Sequence, residues 1–350
     1  MNTNPNDFKL LTRDQFREGV FKRDNHKCVV CGAPAIDAHH IIERRLFGQT
    51  NGGYYLENGA SVCETHHLEA EATTLSCDEL RRLIGITKFP LPEHMYPDQP
   101  YDKWGNPILP NGMRLKGELF DDASVQKVIA PVLSLFTNRV KYPRTYHFAW
   151  SPGVTDDDRV LTDLSIFDSL GKENGVVVTL KMDGENTTMY SDYLHARSIE
   201  YEAHPSRSWV KAVHGRMGHD IPEGWRVCGE NLYAKHSIKY ENLNDYFQVF
   251  SIWNDKNFCL SWDDTELYAE LLGLRVVPVL YRGPWDEKIV RALHQEFRDG
   301  DPCEGYVVRL QESFHYRDFR RCVGKYVRAS HVTTHGHWMR SKLEMNKVKT

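Results

Sequence analysis

No stretch of this chain stays apolar for the roughly 18 to 20 residues that a bilayer crossing needs, and the polar opening MNTNPNDFKLLTRDQF lacks the apolar core of a secretory signal. The two absences exclude a spanning helix of the usual kind and lead us to expect a cytoplasmic protein with no membrane partner. Low-complexity tracts and internal repeats are missing too, which argues against a solenoid or a compositionally disordered chain. A surplus of either charge is also lacking: the net charge of −4 over 350 residues provides no global attraction for a polyanion. Cysteine is sparse. Of Cys28, Cys31, Cys63, Cys77, Cys228, Cys259, Cys303 and Cys322, only the first three are closely spaced beside histidines, a pattern that suits metal binding better than a disulfide framework.

What is present is an ordinary soluble composition, 41% hydrophobic and 26% charged, on a chain long enough for two or three domains. Charge is uneven along it. From Phe314 to Thr350 nine Lys/Arg stand against two Asp/Glu, and from Lys9 to Thr50 eight stand against five. Such basic ends are often solvated faces, but local patches of this kind are what a phosphate backbone requires.

Six prolines with Gly105 and Gly112 between Lys88 and Gly112 rule out a long regular element there. The expected division is a compact Cys/His-rich unit at 1–87, a linker and connecting helix at 88–140, and a mixed α+β domain at 141–350. The connecting helix is read from the apolar spacing of KGELFDDASVQKVIAPVLSLFTNRV at 116–140, with an N-cap near 121–124. Beyond it, short β-like runs such as GVVVTLKM, WRVCGENLY, YFQVFSIW, RVVPVLY, EGYVVRL and VGKYVRA alternate with helical patterns such as SRSWVKAVHGRM, DDTELYAELLGL and EKIVRALHQEF. This pattern predicts antiparallel sheets with flanking helices.

In the first unit, Cys28-x-x-Cys31 and Cys63-x-x-His66 form two knuckles that can close a tetrahedral Zn²⁺ site. With those four assigned, His39, His40, Asn58 and His67 remain, and their order resembles the HNH endonuclease family, a ββα-metal fold. The resemblance, over roughly residues 13–75, implies that His40 deprotonates water, that Asn58 holds its ring, and that His39 and His67 hold Mg²⁺ or another divalent ion. His39 stands where many members carry Asp and is a softer ligand than Mg²⁺ prefers. Two readings therefore stay open, a nuclease and a module that only grips nucleic acid.

The second unit carries KMDGEN at 181–186 directly behind the apolar run GVVVTL. A lysine is a nucleophile only as the free amine, so a catalytic one is expected to have its pKa lowered by burial or neighbouring cations. Gly184, conformationally permissive, suits a turn at a pocket floor. Alone, K-x-D-G says little. Followed by RVCGENLYAKHSIKY at 226–240, YFQVFSIW at 246–253, EGYVVR at 304–309 and GKYVRA at 324–329, it resembles the collinear motifs of the covalent nucleotidyltransferases, nearest to the ATP-dependent RNA ligase branch.

That resemblance, over about 141–330, implies a ligase adenylation domain and a role for each matching residue. Lys181 would take AMP from ATP, and Asp183 would be structural or hydrogen-bonding. Glu230 would hold the ribose, Phe250 would stack on adenine, and Glu304 would place Mg²⁺ or Mn²⁺. Lys325 would neutralise the α-phosphate and Arg197 would contact phosphate. Arg328 departs from a common Lys-x-Lys pattern, which leaves its phosphate partner open. Only 22 residues follow Arg328, so no OB-fold domain is expected after these motifs. The function expected is the sealing of 3′-OH/5′-phosphate ends in RNA or DNA, with a duplex nick as substrate. The alternatives are an HNH endonuclease, or an enzyme that both cuts and seals in repair or defence.

Overall fold

The computed structural model describes residues 4–48, 51–156, 158–197, 204–294, 297–298, 300–329 and 343–349. The chain divides into two compact units, Met1–Val140 and Lys141–Thr350. Much of the basic stretch from Phe314 onward, 330–342 and 350, lies outside the described residues. Among the described residues no helix is long and apolar enough to cross a membrane.

The first unit is built on a hairpin of β1 (Asp37–His40) and β2 (Gly59–Val62), antiparallel with His39 opposite Ala60. Helix α1 (Arg13–Arg23) starts at a capping box in which Thr12 and Gln15 satisfy each other's backbone N–H groups. It packs Phe16 and Val20 against one face of the hairpin, together with Ala38. Helices α2 (Glu64–Glu71) and α3 (Cys77–Leu83) follow, and Ala70, Cys77 and Leu80 join Ile41, Ile42 and Val62 in the core.

Residues 88–140 depart from the expectation of a linker and connecting helix. Leu91 and Met95 enter the core of the first unit, and Trp104, Phe120, Val125, Ile129 and Val132 form a cluster beside it. The turns that proline dictates are pinned by the buried Asp102, whose carboxylate accepts from the Trp104 and Asn106 N–H groups and meets Arg114 at 3.2 Å. The predicted helix over 116–140 shrinks to α4 (Ala123–Ile129) and a 3₁₀ continuation at Ala130–Leu135. Asp122 caps its start, and Pro131, which has no N–H to donate, ends its α-helical hydrogen bonding.

The second unit has two sheets. One, of six strands, runs in the order β12 (Val279–Gly283), β5 (Val176–Lys181), β15 (Gly305–Leu310), β17 (Val323–Val327), β3 (Tyr146–Phe148) and β4 (Val160–Leu161). The other, of seven, runs β16 (Phe314–His315), β10 (Phe258–Cys259), β9 (Phe247–Trp253), β8 (Arg226–Asn231), β6 (Glu185–Met189) and β7 (Leu194–Ala196), with β11 (Arg275–Val276) also pairing β9. Pairing is antiparallel except at β3–β17, β3–β4 and β9–β11, so the α+β expectation holds with three parallel pairs added. RVVPVLY splits at Pro278 into β11 and β12, one strand for each sheet, as a residue without a ladder donor permits. A small hairpin of β13 (Phe297–Arg298) and β14 (Asp301–Pro302) lies outside both sheets.

Helices α6 (Ser208–Met217) and α7 (Trp262–Leu271) cover the seven-stranded sheet through Val210, Val213 and Ala269. Short helices α5 (Lys172–Asn174), α8 (Glu287–Arg291) and α9 (Phe319–Cys322) close the remaining edges, with Val290 and Phe319 in the core. The last described segment, Glu344–Lys349, straps the loop after β8. Asn346 is fully buried there, its amide donating to the Leu232 and Ala234 carbonyls and accepting from the Tyr240 N–H.

Candidate active site

In the second unit the register of the six-stranded sheet assembles the site. Lys181 ends β5 opposite Gly305 of β15, and Thr179 lies opposite Val307, itself opposite Lys325 of β17. Side chains alternate along a strand and cross-strand partners share a face, so Lys181 and Lys325 project from the same side of the sheet. Glu304, buried just before β15, accepts a hydrogen bond from Lys181 Nζ at 2.6 Å. Lys181, Arg197, Glu230, Phe250 and Lys325 all line one cavity of about 210 Å³.

The electrostatics depart from expectation at the lysine. Burial works against the Lys181 ammonium, but Glu304, Glu230 and Asp183 outweigh it and hold its pKa above the usual value. The lysine driven down is Lys325, to about 8, by burial and by Lys181 beside it. Burial pushes the Glu230 carboxyl up to about 8. Three acids around one ammonium thus reverse the expected depression of Lys181.

Asp183 is engaged by the loop after β8. Its Oδ2 accepts from the Ser237 and Ile238 N–H groups at 2.7 and 2.6 Å, and its own N–H donates to the Tyr240 hydroxyl. Gly184 corrects a further expectation, because its φ is not in the left-handed region. It is needed for close approach: a Cβ there would lie 2.6 Å from the Asn231 carbonyl oxygen and 3.0 Å from Glu230 Cγ. Arg328 donates its N–H to the Glu304 carbonyl, and its Nε is buried without a hydrogen-bond partner among the described residues. It does not line the cavity.

Sequence reasoning missed three contributors. Tyr142 stands edge-on to Phe250 at 5.0 Å and to Phe319 at 5.3 Å inside the cavity. Arg144 lines the cavity as well. Asp158 lies 3.9 Å from Lys325 Nζ and 3.4 Å from His147 Nε2. A tyrosine before a proline and an acid in a polar loop carry no local signal of such a place.

In the first unit, Cys28 Sγ and Cys63 Sγ lie 3.4 and 3.1 Å from His66 Nδ1, and the sulfurs of Cys31 and Cys63 are 3.8 Å apart. A tetrahedron of thiolates bound at about 2.3 Å has edges of about 3.8 Å, so the donor set fits a tetrahedral, thiophilic ion. Burial opposes ionisation of Cys28, yet the backbone N–H groups of Cys63, Cys31 and Val30 bring its thiol down to about 6, toward the thiolate a metal binds.

A second cluster joins His39, His67 and Asp37, the last unforeseen; His67 Nδ1 lies 3.0 Å from Asp37 Oδ2. Strand alternation explains it, since Asp37 and His39 share the face toward α2. His40 turns to the opposite face and stacks on Phe16 of α1 at 4.5 Å. Burial, then Lys103, lowers its pKa to about 4. Asn58 does not hold the His40 ring. Its amide donates to the Ile42 and Gly53 carbonyls and accepts from the Ile42 N–H, pinning the hairpin connection. Glu71 lies 3.5 Å from His39 and 3.1 Å from the buried Lys103 ammonium, which also donates to the His40 carbonyl.

Residues 174–327 match the family model described as RNA ligase. No curated protein matches the chain. Among solved structures, an RNA ligase of Naegleria gruberi with ATP and manganese is 17% identical with a TM-score of 0.37; the match covers 57% of this chain and 62% of that one. An archaeal ATP-dependent RNA ligase is 17% identical with a TM-score of 0.35, over 54% of this chain and 48% of that one. A putative ATP-dependent DNA ligase from Aquifex aeolicus gives 17% and 0.35, over 54% and 50%. The chain thus spans about three-fifths of the length of the first of these.

Proposed function

We propose that this chain is an ATP-dependent polynucleotide ligase that joins 3′-OH and 5′-phosphate ends through a lysyl-AMP intermediate. The observation that carries this reading is the convergence of Lys181 and Lys325 on one cavity, with Glu304, buried just before β15, hydrogen-bonded to Lys181, all within the segment that matches the RNA ligase family. The Lys181 amine attacks the α-phosphorus of ATP; a P–N bond forms, the α–β P–O bond breaks, and pyrophosphate leaves. A 5′-phosphate oxygen then takes the AMP, breaking the P–N bond. Finally the 3′-hydroxyl attacks the 5′-phosphorus and AMP departs.

Phosphoryl transfer of this kind depends on positioning and charge neutralisation. Lys325 and Arg197 neutralise phosphate, Glu230 accepts from the ribose, and Phe250 with Tyr142 contacts adenine. Mg²⁺ or Mn²⁺ held with Glu304 would supply positive charge at the phosphates. Glu304 accepts a hydrogen bond from the Lys181 ammonium at 2.6 Å, so adenylylation requires that contact to be released.

For the first unit the reading is an HNH-like module over 1–87, with Zn²⁺ held by Cys28, Cys31, Cys63 and His66, that grips a nicked duplex. A nuclease is the second reading, favoured by His39, whose two buried ring nitrogens have no hydrogen-bond partner among the described residues. Metal-dependent cleavage lost in His40→Ala would establish that reading.

The primary test incubates the protein, freed of bound AMP by pyrophosphate, with Mg²⁺ and ATP labelled at the α-phosphate. Label is expected on the denatured wild type and absent from Lys181→Ala. A wild type that takes no label sinks the ligase reading.

A further inference from the structure

Helix α6 buries Val210, Val213 and Met217 along one face. Trp209 lies one position away, about 100° around the helix from Val210, and stays 38% exposed. A tryptophan left outside the core forgoes the burial that usually retains it, so its surroundings matter. Its ring is parallel to that of Tyr233 to within 6°, with centroids 6.4 Å apart. Tyr246 stands across both, 5.2 Å from Trp209 at 73° and 5.3 Å from Tyr233 at 80°. Those distances set the Tyr246 centroid to one side of the other two, as a floor beneath parallel rings. The floor is fixed by its hydroxyl, which donates to the Asn346 carbonyl at 3.0 Å.

Charge and position narrow the occupant. Lys235 and Lys239, in the same loop as Tyr233, share the carboxylate of Glu344 at 2.9 and 3.2 Å, so two ammonium groups stand against one carboxylate there. A cationic rim disfavours an ammonium guest and favours a planar group carried on phosphates. Tyr233 follows Glu230 by three residues, so their Cα atoms lie within about 11 Å of each other. The Asn231 amide donates to the Ser206 carbonyl and ties the start of α6 to the end of β8.

We propose that Trp209, Tyr233 and Tyr246 form a stacking site for one unpaired nucleobase of the polynucleotide substrate, next to the joint being sealed. Parallel aromatic faces accept any base, and the lysine rim takes the flanking phosphates. The proposal rests on the ligase reading and sharpens it: the nicked duplex presents one splayed or unpaired nucleotide beside the joint.

The test uses the full chain and a fluorescently labelled, 5′-phosphorylated RNA strand of about a dozen nucleotides, read by anisotropy. One stacked base contributes about 1–3 kcal/mol, so Trp209→Ala is expected to bind about 5- to 150-fold more weakly. Trp209→Phe should recover most of the affinity, and label from α-labelled ATP on Lys181 should be unchanged in both variants. A strand made abasic at one position should weaken wild type to the same extent and cost Trp209→Ala nothing further. Equal binding by wild type and Trp209→Ala overturns the proposal, and so does an abasic loss that adds to the variant's. Affinity for a trimethyllysine peptide that disappears in Trp209→Ala while RNA binding persists also overturns it. A wild type that binds the strand through this site yet takes no AMP rejects the ligase reading alone.

Discussion

Both units set a buried lysine against a carboxylate that the proposed chemistry assigns to a metal or lies beside one. In the first, Lys103 is 4% exposed, 3.1 Å from Glu71, 3.6 Å from Glu43, and hydrogen-bonded to the His40 carbonyl. In the second, Lys181 meets Glu304 at 2.6 Å with its side chain 25% exposed to the cavity. An ammonium enclosed by two acids and a carbonyl is a structural tie; one hydrogen-bonded to a single acid beside an open cavity is free to meet a ligand. The same pair of residue types is therefore inert or poised according to how many partners the fold supplies.

The strongest way to break this comparison is at the metal knuckles. Structural zinc contributes apparent binding energies of about 10–16 kcal/mol in small domains. Cys28→Ser is expected to take the chain from one zinc to none by elemental analysis and to abolish most nucleic-acid affinity, with Lys181 labelling kept within about twofold. Equal loss of labelling would show that the units are not independent.

Next in size is the lysine exchange itself. Lys103→Met leaves Glu71 and Glu43 facing each other without a buried cation, which costs about 3–5 kcal/mol. Lys181→Met should cost clearly less, because the Lys181 side chain is 25% exposed against 4% for Lys103, so less of its charge pairing is desolvated. Denaturant melts of both variants decide it, and equal losses would erase the distinction between tie and poised group.

A smaller effect sharpens the poised side. Lys325, lowered to about 8, is charged below that pH and neutral above it. If its charge holds phosphate, kcat/KM for lysyl-AMP formation carries a limb that falls up to tenfold per pH unit above about 8. Lys325→Arg should move that limb out of the measurable range. A limb that stays in place would assign it to another group.

The smallest effect tests the strap. Asn346→Ala removes partners from the Leu232 and Ala234 carbonyls and the Tyr240 N–H, a loss of about 1–3 kcal/mol for buried groups left unsatisfied. The Tyr240 hydroxyl receives the Asp183 N–H, so kcat for lysyl-AMP formation should fall more than KM rises.

Legibility followed sequence distance. Cys28, Cys31, Cys63 and His66 were readable because two tight spacings already imply two pairs of donors, and hairpin geometry needs little more to join them. Lys181, Glu230, Phe250, Glu304 and Lys325 could be singled out only as an ordered set, since each stands alone on, or for Glu304 just before, its own strand. Pro278 illustrates a limit: one apolar run became strands of two sheets. Lys103 illustrates another, because it lay in what read as a proline-rich linker. Asn58 was found but given the wrong partner, for a side chain's hydrogen bonds depend on which carbonyls the turn brings near.

The sequence by itself determined the alternating strands, the spacing of the four Cys/His knuckle residues, the order of the lysine motifs and the lack of a long apolar run, all properties of neighbours along the chain. Only the tertiary structure decided that Lys181 is paired with Glu304, that His40 and His39 face opposite ways across the hairpin, and that three aromatic rings meet at the surface. Strand register and the packing of distant segments set those contacts, and both depend on energies summed over the whole fold rather than on any local spacing.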